Sequence, residues 1–382
     1  MTKQICNLGI WDDTVPGINY DENGVSNYAV LFKKLAELYP RGNRGEAEWT
    51  DWLKKIKRDG KGNHYECIIG VSGGTDSSYL LHLAKQYNLK PLAVTLDNGW
   101  SSQIAVRNIK KMTDALNIDL ETYVIEYEEV KAVIRAYVKA GLPWIDAPTD
   151  LAIKSILYKV AARERVRYIF NGGDFRSEGK QPTSWTYSDA RQFKYLVAKF
   201  EGLHPKSFPV NSLQQMIDYS VRKKIKMLRP FYYLEYNKRK AQDFLQKQYN
   251  WEYYGGHHFE NLFTKFVISY WLPKKFGIDK RIITLSSQIL SGEITRDAAL
   301  DEVGKPPYDP AEMERDKMLV LKKLDMTEKE FTKYWQNPNK YYYDYPSYMP
   351  LYRKFNKLSV LLFKYILPFT PSIFIEDEII NK

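Results

Sequence analysis

Cysteine is scarce. Cys6 and Cys67 are the only two in 382 residues, and their surroundings differ too much to suggest a structural pair. A disulfide-built extracellular fold is thereby excluded, as are reactions that need several thiols for sulfur transfer or an iron–sulfur cluster. The opening MTKQICNLGIWDD has no apolar signal region, so the expected setting is a reducing cytoplasm. Long apolar runs are also lacking. The stretch from Leu358 to Ile375 comes closest, but Lys364, Pro368 and Pro371 interrupt it. A spanning helix is not expected there, and docking on the core or peripheral contact with the inner membrane is.

Apolar residues supply 44% and charged residues 27% of the chain, the balance of a protein that buries a real core. A chain of 382 residues exceeds the roughly 250–300 at which single cores stop growing, so more than one domain is expected. Lys and Arg outnumber Asp and Glu, 57 to 46, for a net charge of +11. This excess suits anionic partners such as nucleotides, sugar nucleotides or RNA, and does not choose among them. The runs Arg222-Lys223-Lys224 and Lys238-Arg239-Lys240 read as solvated helix faces.

Residues 1–63 read as an irregular start followed by helices, closed by the polar linker Arg58-Asp59-Gly60-Lys61-Gly62-Asn63. From His64 the pattern changes. Cys67-Ile68-Ile69-Gly70-Val71 is continuously apolar, as befits a strand covered on both faces. Leu80, Leu83, Ala84 and Tyr87 then recur at helical spacing, and Pro91 to Leu96 supplies a second strand that ends at Asp97-Asn98-Gly99. A helix stripe of Ala105, Ile109, Met112 and Leu116 follows, then a strand near Leu120 to Ile125, helices through the 130s and 150s, and a strand Arg167 to Phe170 ending in Asn171-Gly172-Gly173-Asp174. A fifth strand is expected at Ile225 to Leu228. Such alternation predicts an α/β fold with an open, doubly wound parallel sheet and a ligand site at the carboxyl ends of its strands. Residues 64–256 form this domain, and 257–382 read as a mainly helical C-terminal region.

The segment Gly70-Val71-Ser72-Gly73-Gly74-Thr75-Asp76-Ser77-Ser78 joins a buried strand to a helix. Glycines let the backbone approach an anion, the helix N-terminus adds partial positive charge, and Ser72, Thr75, Ser77 and Ser78 carry hydroxyl donors. No Gly-Lys-Ser/Thr follows, so this is not a Walker A loop. SGGTDSS resembles the PP-loop signature of ATP pyrophosphatases. That resemblance implies that residues 72–78 hold the pyrophosphate of ATP, with Asp76 helping to place Mg²⁺. Asp174 is the second candidate for Mg²⁺ and Gly173 a neighbour of the nucleotide, although an Asp there also serves as a turn cap. Asp97 and Asn98 are candidates to touch ribose or adenine, or form an ordinary turn.

Across the chain, PGINYDENGV at 16–25, SGGTDSS, LDNGW at 96–100, NGGD at 171–174, GGHHFENLFTKF and YWLPKKFGIDKR together resemble the N-acetyl sugar amidotransferase family of bacterial surface-polysaccharide synthesis. The resemblance implies conversion of an acetamido to an acetamidino group on a sugar or sugar nucleotide through an adenylated imidate. It places that reaction in lipopolysaccharide O-antigen, capsule or flagellin-glycan synthesis. Neither cysteine is set as a glutaminase nucleophile, so ammonia is expected from partner subunits similar to the glutaminase and cyclase halves of imidazole glycerol phosphate synthase. His257, His258 and Glu260 are the candidates for proton transfer or substrate binding. Adjacent histidines diverge on a helix, which argues against both ligating one metal. Lys265, Lys274 and Lys275 are candidates to meet an acidic sugar nucleotide. Relatives often carry two cysteine pairs flanking the PGINYDENGV-like segment. Here Cys6 stands alone, with Gly9, Ser26 and Ala29 at the other places, so no structural zinc is expected, and packing through Trp11, Tyr20 and Tyr28 must hold the segment. No nucleic-acid partner and no transmembrane segment are expected. The rival readings are a PP-loop tRNA-modifying enzyme and a non-catalytic nucleotide-binding scaffold.

Overall fold

The structure, a computed structural model, describes residues 4–355 together with Glu376, Ile379 and Ile380. The apolar stretch from Leu358 to Ile375 lies outside the described residues. Two helices, α1 (Asn27–Leu38) and α2 (Gly42–Asp59), precede a five-stranded, all-parallel sheet. Its strands are β1 (Cys67–Gly70), β2 (Pro91–Asp97), β3 (Leu120–Val124), β4 (Tyr168–Phe170) and β5 (Lys226–Leu228), in the order β3-β2-β1-β4-β5. Helices α3 (Thr75–Gln86), α4 (Gln103–Leu116), α5 (Tyr127–Ala140) and α6 (Ala147–Arg163) lie between the first four strands, and α7 (Lys238–Tyr249) follows β5. All five strands fall within a residue of where the sequence puts them, and the fold is the expected α/β class.

The continuous apolar runs have a pleat-level explanation. Successive strand residues point to opposite faces, and both faces here are covered. Cys67 and Ile69 of β1 join Tyr168 and Phe170 of β4 in one core with Trp49, Leu80 and Leu81. Ile68 and Ile169, one step out of phase, join Leu92, Val94, Ile156 and Leu157 in the core on the other face. Each fully buried Ile or Leu contributes about 1.5–3 kcal/mol, which fixes the register because a one-residue slip exchanges the faces. Only β3, at the edge, alternates in exposure, with Val124 at 68%.

The third core joins distant parts of the chain: Trp11, Tyr28 and Leu31 from the start, Val133 and Tyr137 from α5, and Phe266, Trp271 and Phe331 from the C-terminal part. That last part is helical, and a π-helical stretch Val267–Phe276 continues the short helix Leu262–Phe266. Trp11 and Tyr28 stack with centroids 6.5 Å apart, and Tyr20 packs partly buried against the same core. Cys6 and Cys67 are both buried free thiols; the Ser26 amide donates to Cys6 Sγ at 3.3 Å.

Strand order reverses at β1, which pairs with β2 on one side and β4 on the other. The crevice at such a reversal, beyond the strand carboxyl ends, is where open α/β sheets bind ligands. The SGGTDSS turn leaves β1 into that crevice.

Candidate active site

Gly73 turns the chain out of β1 with φ +78°, a conformation that favours glycine. A Cβ there would also lie 2.2 Å from the Ala105 carbonyl oxygen, so the loop packs directly on the backbone of α4. Gly74 is the N-cap of α3, and a Cβ on it would meet Glu260 Oε1 at 2.9 Å. Ser72 is exposed at the mouth of the loop, whereas Thr75, Ser77 and Ser78 are buried. Their hydroxyls are partly engaged: Ser77 Oγ donates to the Gly74 carbonyl at 3.3 Å, and Thr75 Oγ1 accepts from Gln242 Nε2 at 3.2 Å. The main-chain amides of Gly73, Asp76 and Ser77 have no partner among the described residues. Those amides, with the N-terminus of the twelve-residue α3, form the anion cradle.

Asp76, in the first turn of α3, is held from both sides. Tyr236 donates its hydroxyl to Oδ1, and Lys238 Nζ lies 2.8 Å from Oδ2. Tyr236 is fixed by stacking on Phe231, centroids 3.8 Å apart. Lys238 is the correction to the sequence reading: it is no solvated face residue, because the first turn of α7 aims it into the crevice, with its side chain 14% exposed. Nearby Asp76 and Glu178 outweigh burial and hold its ammonium above the ordinary lysine value.

Asp174 ends the loop after β4, its side chain fully buried against Arg41, whose Nη2 lies 2.8 Å from Oδ2. Burial raises its carboxyl above the ordinary range, against the pull of Arg41 and Arg176. Its Oδ1 is buried with no hydrogen-bond partner. A Mg²⁺ ion takes hard oxygen ligands, and that orphaned oxygen, in electrostatic contact with Asp76, fits one; Asp76 fits only by sharing an oxygen with Lys238 or Tyr236. Gly173 donates its amide to Asn171 Oδ1 at 2.9 Å. Asp97 and Asn98 close the turn after β2, accepting from the amides of Gly99 and Trp100 at 2.9 and 3.2 Å. Asn98 is buried and donates to Thr149 Oγ1 at 3.3 Å.

His257, His258 and Glu260 stand beside the cradle. They lie on a turn, not a helix, and His258 has φ +60°. The two rings therefore converge, centroids 3.9 Å apart, where a helix would have splayed them. His258 Nδ1 lies 3.6 Å from Glu260 Oε1, and Ser72 Oγ donates to the same oxygen at 3.4 Å. Burial lowers the His258 value, but the hydrogen bond and charge of Glu260 reverse this and leave it raised. Burial, then the charges of His258, Lys238 and Lys280, push His257 well below its ordinary value. Lys265 and Lys275 do not reach the crevice. Lys265 pairs with Asp316 at 2.7 Å, and Lys275 caps the carbonyls of Trp335 and Asn337 at 2.6 and 2.9 Å. Lys274 is exposed.

Sequence reasoning missed Tyr236, Arg41 and Glu178, and a further polar set at the start of α6. There Trp144 Nε1 donates to Asp150 Oδ2 at 2.7 Å, and Lys280 Nζ lies 4.1 Å from the Trp144 ring centre. Burial lowers Lys280 to about 8 despite Asp150 and Glu178. Asp150 is exposed to solvent, yet the surrounding protein raises its carboxyl above the ordinary range against the pull of the Trp144 hydrogen bond. The one sequence clue was position: Glu178 follows the NGGD turn by four residues.

A parallel sheet reversing at β1, with a glycine-rich strand-to-helix turn at the reversal and a helical C-terminal region beyond it, defines an open α/β fold with its ligand crevice at that turn. Residues 260–359 match a family described as "LPS biosynthesis protein WbpG-like, C-terminal domain". A Methanocaldococcus jannaschii protein named "Uncharacterized protein MJ1599" is 23% identical over 180 residues, covering 47% of this chain and 60% of the relative. The chain thus spans less than two thirds of that relative's length. Among solved structures, an NH3-dependent NAD synthetase from Campylobacter jejuni is similar over 46% of this chain and 74% of its own, at 17% identity and TM-score 0.27. An NMN synthetase from Francisella tularensis is similar over 65% and 94%, at 15% identity and TM-score 0.29. Overlaps of that size assign no reaction.

Proposed function

We propose that the chain is an ATP-dependent amidotransferase that converts the acetamido group of a sugar or sugar nucleotide into an acetamidino group, in the synthesis of a lipopolysaccharide or related surface glycan. The observation that carries this reading is the Asp76 clamp at the mouth of the SGGTDSS cradle, joined to a C-terminal segment that matches a lipopolysaccharide-biosynthesis domain.

On this reading the cradle binds the β- and γ-phosphates of ATP through the amides of Gly73, Asp76 and Ser77, and Lys238 faces the α-phosphate. Mg²⁺ would be held by Asp174 and Asp76 and would offset the charge of pyrophosphate. The acetamido oxygen attacks the α-phosphorus, the bond to the bridging oxygen breaks, and pyrophosphate leaves. The positive cradle and Lys238 favour that step because they meet charge that grows as the bond breaks. Ammonia then attacks the imidate carbon, sheds a proton towards the His258–Glu260 pair, and expels AMP with the former carbonyl oxygen. The adenylated imidate must be shielded from water for ammonia to compete with hydrolysis. Ammonia is supplied by a partner glutaminase with a cyclase-like subunit, the setting is cytoplasmic, and residues 64–256 act as the ATP-binding domain between an N-terminal segment, 1–63, and a C-terminal region, 257–382.

Incubation with ATP, Mg²⁺, ammonium and a panel of acetamido sugars and sugar nucleotides, followed by mass spectrometry, tests this. The expected product has lost oxygen and gained NH, with AMP and pyrophosphate formed in equal amounts. Pyrophosphate release stimulated only by tRNA, or ATP binding without cleavage, would replace the reading by one of its rivals.

A further inference from the structure

We infer that Glu178, His257 and His258 form a site for a divalent transition-metal cation, separate from any Mg²⁺ that accompanies a nucleotide on Asp76 and Asp174. One ligand atom from each of the three lies within 4.8 Å of the other two. Tetrahedral coordination at ~2.1 Å sets donor atoms about 3.4 Å apart, so side-chain rotation alone can close the cluster onto a cation.

The cluster also has unmet bonding. Among the described residues the Glu178 carboxylate makes no hydrogen bond; its nearest cationic atoms are Lys238 Nζ at 3.7 Å and His258 Nε2 at 3.9 Å. His257 makes no hydrogen bond either, only the ring contact with His258. Both side chains are partly buried and neither is tied down by a hydrogen bond to protein among the described residues, so both are free to turn onto a cation. An outer support is in place as well. His258 faces Glu178 with Nε2 and Glu260 with Nδ1, the carboxylate–imidazole–cation order that orients metal-binding histidines. Lys238 does not compete strongly, because its ammonium is 2.8 Å from Asp76 and only 3.7 Å from Glu178. A bound cation would confine it to Asp76.

Two imidazoles and one carboxylate suit Zn²⁺, Co²⁺, Fe²⁺ or Mn²⁺ rather than Mg²⁺ or Ca²⁺, which prefer all-oxygen shells. Three protein ligands leave a position free, and because the His258 side chain is 34% exposed, an oxygen or nitrogen of a ligand can reach the ion from solvent. The site stands whether or not ATP is the substrate. If a cation holds both imidazoles, Glu260 is left as the proton acceptor of the reaction proposed above.

The test is titration of the tag-free, chelator-treated full chain with Co²⁺ in the absence of nucleotide, followed by visible absorption. One Co²⁺ per chain is expected, with a d–d band displaced by Zn²⁺. Glu178→Gln and His257→Asn should each weaken Co²⁺ at least ~10-fold, with metal-free circular dichroism unchanged; His258→Asn replaces either variant that misfolds. Absence of stoichiometric binding, or equal affinity in the folded variants, overturns the inference. Because no nucleotide is present, that failure is separate from failure of the ATP reading.

Discussion

Lys238 Nζ lies 2.8 Å from Asp76 Oδ2 and so joins the first turn of helix α7 to the first turn of helix α3 across 162 positions of sequence. The pair places a cation and a carboxylate side by side at the mouth of an anion cradle. Binding a triphosphate there requires the ammonium to divide its attention between Asp76 and the incoming phosphates.

Asp76→Ala should therefore abolish turnover while the protein still folds. On the proposed function the substitution removes one of the two carboxylates that would hold Mg²⁺ and frees Lys238 to fall back on Glu178, so the loss in ATP–pyrophosphate exchange should reach at least ~10²-fold, the scale of removing one aligned electrostatic group. Lys238→Met should lose a comparable factor and keep ATP binding within about tenfold, because the cradle amides remain. Full exchange activity in either variant would remove the residue it replaces from the chemistry.

Gly73→Ala tests the cradle itself. The position has φ +78°, and the added methyl would sit 2.2 Å from the Ala105 carbonyl oxygen. The strained backbone costs about 1–3 kcal/mol, and α4 must also move, so the melting temperature should fall and nucleotide affinity with it. Gly62, also at positive φ but with nothing within 4 Å of its Cβ, is the control: Gly62→Ala should lower stability through backbone strain while nucleotide affinity stays unchanged.

The parts of this architecture that could be read in sequence are those set by local chemistry. β1, β4 and the first half of β2 declare themselves because both faces are covered and the residues there are apolar, and the bend after β1 declares itself because a strand that turns at once into a helix needs glycine where the backbone goes to positive φ. Lys238 could not be read, since Lys238-Arg239-Lys240 is equally polar on every face; only the burial of Ala241 and Leu245 in the core sets which lysine turns inward. Lys265 misled for the converse reason, as its partners Glu312 and Asp316 lie about fifty residues away. The convergence of His257 and His258 depends on a left-handed residue, and neither Gly255-Gly256 nor the histidines specify it.

Arg41→Ala should destabilise the fold more than a surface arginine would. Arg41, at the N-cap position of α2, donates to Asp174 at 2.8 Å, to the Phe231 carbonyl at 3.0 Å and to the Tyr236 carbonyl at 3.2 Å. Its loss leaves a fully buried carboxylate and two carbonyls without their donor, and breaking such a buried pair costs about 3–5 kcal/mol. The double variant Arg41→Ala with Asp174→Asn should recover part of that, because no charge is then stranded. Urea denaturation of the four proteins in the cycle measures the coupling, and a cycle that closes to zero would show that Asp174 gains nothing from Arg41.

Asp146 gives a stability signature that depends on pH. Its carboxyl is buried at the start of α6, accepts from Thr264 Oγ1 and leaves Oδ1 unpartnered. Burial, then the charge of Asp150, raises it to about 7 in the folded chain. An acid with a raised folded value binds its proton more tightly when folded, so the stability that proton provides is complete near pH 4. It is then lost steadily as pH rises towards about 7 and changes little above. Asp146→Asn keeps the shape without the ionisation. The wild-type chain should lose about 2–4 kcal/mol relative to Asp146→Asn between pH 4.5 and 7.5, the scale set by about 1.4 kcal/mol per tenfold change in proton affinity. Denaturant midpoints across that range measure it directly. Parallel pH profiles for the two proteins would mean that Asp146 ionises in the folded chain as easily as an exposed aspartate.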